Sequence, residues 1–364
     1  ACSFTAITLC LLQGVAMSTN KAWLDLVVEE VLEPLLPICD PHHHLWEFRR
    51  DGVSPRYLMD EIQADLGSGH NIVSTVFIEC GAMYKLGGPH EFRSVGEVEF
   101  ANGIAAMSES GLYGKTRVCA GIVGNADLCL GVAVRDVLDA LLAASGGRLR
   151  GIRDQANWDA DESIGNGRFV HGPGSYVDQR FREGIPELIK RDLSFEAWCY
   201  HTQIKELTDL ARDFPNLRIV LNHFGGPLGV GPYRNQQGEI FKTWQHDLTA
   251  LATCPNVYAK LGGINMEVNG FEWHTKKSPP SSEELINKTR RYYEHAIECF
   301  GVERCMFESN FPVDNVSCSY NILWNAFKRF TKNYSEDEKA TLYHDTASEF
   351  YRLQRKSLRG VDGA

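Results

Sequence analysis

Eight short apolar runs of strand type recur along this chain of 364 residues, and stretches with helical periodicity separate them. The first begins near Leu35 and ends at His42-His43-His44. The others cover residues 72–79, 118–123, 149–153, 193–200, 218–222, 257–261 and 304–309. Apolar residues fall at the helical period over 57–66, 95–110, 134–144, 177–190, 203–213, 240–252 and 282–300, and two more helical runs, 320–330 and 335–353, close the chain. Residues 24–36, mixed apolar and acidic, read as a short helix leading into the first strand. Alternating strands and helices imply βαβ units and a parallel sheet. Eight strands, each followed by a helix, is the count of a (β/α)8 TIM barrel. An open doubly wound sheet is the alternative, but no strand here is followed by GxGxxG or a P-loop. No repeat, charge block or low-complexity linker marks a break. One barrel domain is therefore expected over residues 22–356, with longer loops at 158–176 and 262–280 and a short tail at 357–364.

The net charge of −10 argues against a nucleic-acid or anionic-membrane surface. The eleven cysteines show no CxxC and several sit in apolar runs, which reads as buried thiols and a cytoplasmic protein. Residues 1–16 are apolar and uncharged, too short to span a bilayer and without a basic n-region. Residues 1–21 are read as a leader, with secretion as the alternative if that stretch is a signal peptide.

In a barrel of this kind active sites form at the C-terminal ends of the strands, so what ends each strand is informative. Strand one ends in His42 and His44, two residues apart and therefore on one face. Such a pair suits a first-row metal ion, or is a polar cluster in a turn; the spacing leaves both open, and His43 leaves the register open by one residue. Strand two ends in Glu79, strand four in Arg153, strand five in Tyr200-His201, strand six in Asn222-His223, and strand eight in Glu308-Ser309-Asn310, while strand seven carries Lys260. Arg153 and Lys260 are candidate anchors for a substrate carboxylate, or they neutralise Glu79 and Glu308. Trp46 and Trp158 are a planar wall for a ring substrate, or packing.

The pieces DPHHHLW (from Asp40), YHTQ (from Tyr200), NHFGGP (from Asn222), KLGG (from Lys260) and SNFP (from Ser309) resemble the amidohydrolase superfamily, in the branch that contains dicarboxylate and sugar lactonases. The resemblance runs from about residue 38 to 353. It implies a distorted (β/α)8 barrel in which His42, His44 and His201 are metal ligands and His223 is a ligand or electrophile. It also implies one divalent ion, zinc or manganese, and a small anionic substrate; self-association stays open.

The chain departs from the family at strand eight, where the usual S-D-W-P is Ser309-Asn310-Phe311-Pro312. An Asn amide is a neutral ligand and no base at neutral pH. Glu308, on the same face, is either the displaced catalytic carboxylate or a structural partner of a core Arg or Lys. The departure keeps a metal-free site open. The first reading is a hydrolase of a carboxylate-bearing lactone, with Glu308, His223 and Asn310 as catalytic residues and Arg153, Lys260, Glu79 and Trp46 binding substrate. A non-oxidative decarboxylase of an aromatic or unsaturated acid is the second reading, and a metabolite-binding barrel that has lost its catalytic carboxylate is the third.

Overall fold

The structure, a computed structural model, describes residues 21–49, 54–167 and 172–353. The leader expected over 1–21, apart from Lys21, and the tail expected over 357–364 lie outside these described residues. Eight strands make one sheet in chain order, with every neighbouring pair parallel: β1 (Ile38–His43), β2 (Ile72–Ile78), β3 (Arg117–Gly124), β4 (Leu149–Arg153), β5 (Ser194–Ala197), β6 (Ile219–Leu221), β7 (Val257–Leu261) and β8 (Cys305–Phe307). The sheet curls back on itself just past β8, where Asn310 N donates to His42 O at 2.9 Å and His44 N to Phe311 O at 2.8 Å. The fold is a (β/α)8 barrel, as the strand count implied. Strands five, six and eight are shorter than their apolar runs. A strand buried on both faces stays apolar past the last ladder bond, so composition overstates its length.

The helices Val134–Ala144, Ser282–Phe300 and Tyr320–Phe330 have the expected bounds. The helix expected from residue 177 starts at Gln179, because Asp178 Oδ1 accepts from Arg180 N and Phe181 N and caps it there. The run at 335–353 is not one helix: a π-helical turn, Thr341–Asp345, separates Glu336–Ala340 from Thr346–Phe350. The wider turn brings both Leu342 and Tyr343 into the core, and Tyr343 packs on Phe307 of β8.

Residues 24–36 correct the sequence reading, since only Lys21–Leu24 is helical. The backbone at residues 29–33 bonds mainly to side chains of the helix Tyr320–Phe330. Lys328 Nζ donates to Leu32 O and Glu33 O at 2.8 and 2.9 Å, Asn325 Nδ2 to Glu30 O, and Asn321 Nδ2 to Glu29 O. Leu26, Val28 and Leu35 are exposed, so the apolar pattern there serves no buried helix face.

One apolar cluster fills the space between sheet and helices. A second, built from Cys39, Val76, Val123, Val220 and Met306 with Phe350, Tyr351 and Leu353 from the end of the described chain, fills the barrel interior. The nine described cysteines are all free. Among the described residues no helix is long and apolar enough to cross a membrane.

Lys328 also meets His70 Nδ1 at 2.8 Å, and burial pushes its ammonium down to about 8. Removing its donors should cost about 1–3 kcal/mol. Lys328→Met is expected to lower Tm and to speed amide exchange over residues 29–33; exchange there unchanged from wild type would contradict the clamp.

Candidate active site

Pro41 has no N–H to give the ladder, and the pairing of β1 with β2 slips between Asp40 and His43. His42 and His44 bring their rings together beyond the slip, with Nε2 atoms 3.3 Å apart and ring planes at 83°. His43 points the other way, its Nε2 2.9 Å from Thr75 Oγ1, and burial pushes it down to about 3. That fixes the register. Asp40 ties the two ends of the sheet: Oδ1 accepts from Ser309 N and Oδ2 from the Tyr320 hydroxyl, each at 3.0 Å, and burial raises its carboxyl to about 6.

Glu308 stands behind the histidines and is fully buried. Oε1 accepts from His223 Nδ1 at 2.7 Å. Oε2 lies 2.7 Å from His42 Nδ1, in a contact not aligned as a hydrogen bond. A bare ring nitrogen would be repelled by a carboxylate at that distance, so His223 Nδ1 carries the proton. His42 Nδ1 also has the Lys260 ammonium 3.3 Å away, and its tautomer is set from the other side, where Nε2 accepts from Arg153 Nη1 at 3.4 Å. Both Nε2 atoms therefore present a lone pair. His44 reaches the same state from its own side, since its Nδ1 donates to Ile78 O at 2.8 Å. Burial pushes all three imidazoles below their ordinary value, aided at His42 by Lys260 and at His44 by Arg153, while Glu308 partly opposes the shift at His223. The rings are neutral at neutral pH.

Local backbone sets His223 in place. His223, Phe224, Gly225 and Gly226 all have positive φ, of 52°, 57°, 66° and 43°. Trp244 Nε1 donates to Phe224 O at 2.7 Å, and Trp198 meets the His223 ring edge-on with centroids 4.8 Å apart. The two glycines after Lys260-Leu261 leave room for the pair. A Cβ on Gly263 would lie 2.0 Å from His223 Nδ1, and one on Gly262 2.2 Å from Glu308 O.

A cavity of about 350 Å³ lies over these groups, and its wall includes His44, His223, Asn310, Arg49, Arg153 and Trp198. Asn310 gives its Nδ2 to Asp314 Oδ1 at 2.9 Å, which leaves the amide oxygen for the cavity. Its φ of 56° is one that asparagine tolerates. Burial pushes Asp314 up to about 7 against that hydrogen bond.

The other expected residues have separate places. Arg153 reaches the cavity but is held by Glu79, with Nε 2.7 Å from Oε1 and Nη2 on the Glu79 carbonyl, and its Nη1 is 3.4 Å from His42 Nε2. Glu79, fully buried, takes Gln155 Nε2 as well and does not line the cavity. Lys260 is not at the wall either. It is fully buried and donates to Glu196 Oε2 and Pro41 O, both at 2.9 Å, with Glu308 Oε2 at 4.0 Å. Asn222 Nδ2 and the Tyr351 hydroxyl complete the shell of Glu196. Trp46 is buried, its Nε1 on Ser54 O and the Arg49 guanidinium 4.2 Å from its ring centre. His201 is apart from the other histidines: it opens a turn after Tyr200 that aims its ring at Tyr233, and Leu228 N donates to its Nδ1. Among the described residues, His42, His223 and Glu308 are the group whose ligand atoms lie within 4.8 Å of one another. Arg49 and Trp198 were not legible in advance. Arg49 lies in a loop and Trp198 inside an apolar run, and only closure of the barrel brings them to one wall.

Histidines at the ends of the first and sixth strands thus stand over a buried carboxylate at one rim of the barrel. A family model described as amidohydrolase matches residues 39–353, and the chain belongs to that family of hydrolases. It is 34% identical over 336 residues to an uncharacterised protein, y4mH, of Sinorhizobium fredii, across 87% of this chain and 99% of that one. It is 24% identical over 327 residues to an L-fucono-1,5-lactonase of Burkholderia ambifaria, across 87% and 96%. Among solved structures, a zinc-bound amidohydrolase from Burkholderia multivorans matches with a TM-score of 0.67 at 21% identity, across 87% and 99%. Two nitrogens on one tetrahedral zinc, each at about 2.0–2.1 Å, lie about 3.3 Å apart. The bare Nε2 atoms of His42 and His44, at 3.3 Å, have the spacing such an ion needs.

Gly263→Ala is expected to displace the His223 ring and cut kcat/KM by at least about tenfold, since misplacing a reacting group by an ångström is costly. Gly87→Ala, at a position with open space around it, is the control and should be silent. Equal activity in both variants would contradict the packing argument.

Proposed function

We propose that this amidohydrolase opens a small lactone that carries a carboxylate, with the Glu308–His223 pair as its proton acceptor. The observation that carries the reading is the 2.7 Å hydrogen bond from His223 Nδ1 to Glu308, with the His223 ring on the cavity wall. The family's aspartate at position 310 is missing, and a neutral imidazole backed by a buried carboxylate supplies a base in its place. His223 Nε2 takes a proton from the attacking water, whose other hydrogen bond goes to Asn310 Oδ1. As the ring C–O bond breaks, the imidazolium returns that proton to the departing alkoxide and a hydroxy acid is released. Glu308 holds the ring tautomer and stabilises the transient charge. Arg153, pinned by Glu79, offers Nη1 toward the developing oxyanion. Arg49, stacked over the Trp46 ring at the cavity wall, holds the substrate carboxylate at the mouth. His42 and His44, with Asn310 as a neutral oxygen donor, are the residues that would hold a divalent ion, which when bound polarises the carbonyl.

The test is a panel of lactones with and without carboxylates, assayed by acid release. Wild type is expected to prefer the anionic members, with activity falling on the acid side below the ordinary imidazole value of about 6.5. The neutral ring is the active form, so activity is lost as pH falls through a depressed pKa. Glu308→Gln should lower kcat by about 10²–10⁴-fold. Because Glu308 opposes the depression at His223, the same variant should also move the acid limb to lower pH. A structural role alone would not move it. Arg49→Met should raise KM for anionic lactones more than it lowers kcat. Release of carbon dioxide from an aromatic acid, with no lactone turned over, would replace this reading with a decarboxylase; tight binding without turnover would leave a binding protein.

A further inference from the structure

The opposite end of the barrel carries a second concave site that the hydrolytic chemistry does not use. A cavity of about 240 Å³ lies at the start of β3 and β4, beside the last described residues of the chain. Its wall holds four guanidinium groups, from Arg117, Arg148, Arg150 and Arg352, against one carboxylate, Glu109. Among the described residues the four cations outnumber Glu109 and the neighbouring Asp192, so positive charge is in excess, on a chain whose net charge is −10. A basic basin on an acidic protein is a local minimum for an anion, and it pays a repulsive cost when empty.

Backbone carbonyls help to hold these groups in place. Arg150 Nη1 donates to Gly147 O and Leu149 O at 2.8 and 3.0 Å, Arg117 Nη2 to Leu353 O at 2.9 Å, and Arg352 Nη2 to Arg150 O and Asp192 O at 3.3 and 2.9 Å. Such contacts fix direction without cancelling charge. Arg148 has an acid close by, with Glu109 at 2.7 Å. Asp192 is shared with Arg218 at 2.7 Å and reaches Arg352 Nε only at 3.6 Å. Arg150 Nε and Arg352 Nη1 are buried N–H groups with no hydrogen-bond partner among the described residues. Crowding is felt by the groups themselves: burial, then Arg148 and Arg117, lower the pKa of Arg150. Gly146 keeps Arg148 in the wall, since a Cβ there would lie 2.9 Å from its Nη1.

We propose that this basin is a second, non-catalytic binding site for a small oxyanion carrying two or more negative charges, of the phosphate or polycarboxylate kind. Its guanidinium forks match such oxygens, and its excess charge matches their valence. The site is independent of the hydrolytic reading.

The experiment measures binding to the whole protein by calorimetry and thermal shift, using inorganic phosphate and citrate separately, with chloride at matched ionic strength as the control. Wild type and Arg49→Met, which alters only the opposite mouth, are expected to bind phosphate equally and to gain Tm equally, while any citrate bound at the catalytic mouth is the share that Arg49→Met removes. Losing one charge-assisted contact should weaken binding by about tenfold or more in Arg150→Gln and in Arg352→Gln. Each basin variant is expected to fold with Tm at or above wild type when no anion is present, because like-charge repulsion is relieved. Whichever of phosphate and citrate binds more tightly identifies the kind of ligand. A wild-type response no larger than that to chloride would overturn the proposal. Binding retained in both basin variants, or abolished by Arg49→Met, would do the same. Should one basin variant fail to fold, the other and a phosphate-soaked crystal decide: an anion outside hydrogen-bond reach of these arginines is likewise fatal.

Discussion

The carboxylate of Glu308, held between the Nδ1 atoms of His42 and His223, is the contact on which the geometry of the site depends. It joins the last strand to the first and sixth, and it sets which nitrogen of His223 bears the proton. A carboxylate buried at this depth without such partners would cost several kcal/mol, so the three residues stand or fall together. The nearby cation, Lys260, is turned mainly to Glu196, which leaves Glu308 to the imidazoles. Three buried carboxylates, Glu79, Glu196 and Glu308, face two buried cations, Arg153 and Lys260. The polar layer therefore carries one negative charge in excess directly beneath the neutral rings, an environment that favours a positive charge arriving at the cavity, whether a proton or a metal ion.

The barrel is arranged in layers along its axis. Apolar side chains from five strands and the end of the described chain fill one end. Above them lies the ion-paired layer, and above that the histidines and the cavity. Tyr351 links the first two, since its ring packs in the apolar layer while its hydroxyl donates to Glu196. Chemistry at one end thus rests on groups held in place by the packed apolar layer and the ion pairs beneath them. Glycines serve the same purpose at the β7 end, where any Cβ would push His223 and Glu308 apart.

Asn310 shows how a family position can change chemistry while keeping its place. Its amide bonds to Asp314, so the cavity meets an acceptor oxygen rather than a carboxylate. The acid has not vanished from the region: Glu308 and Asp314 flank the position, both buried and both behind other side chains.

Much of this was legible in the sequence. The alternation of short apolar runs with longer stretches of helical period pointed to eight parallel strands, because the runs are too short for helices while the stretches between them are long enough. The motifs at the strand ends pointed to the histidines and to Glu308, since a barrel gathers its strand ends at one rim. Contacts across the barrel were not legible. That Lys260 belongs to Glu196, that Arg153 belongs to Glu79 and that His201 turns toward Tyr233 all depend on residues tens of positions away. The fate of residues 24–36 likewise lay in side chains nearly 300 positions along the chain, which took the backbone partners a helix would have used. Local periodicity fixes elements because it is written in neighbouring residues; which charge meets which is decided only when the sheet closes and brings distant strands within hydrogen-bond reach.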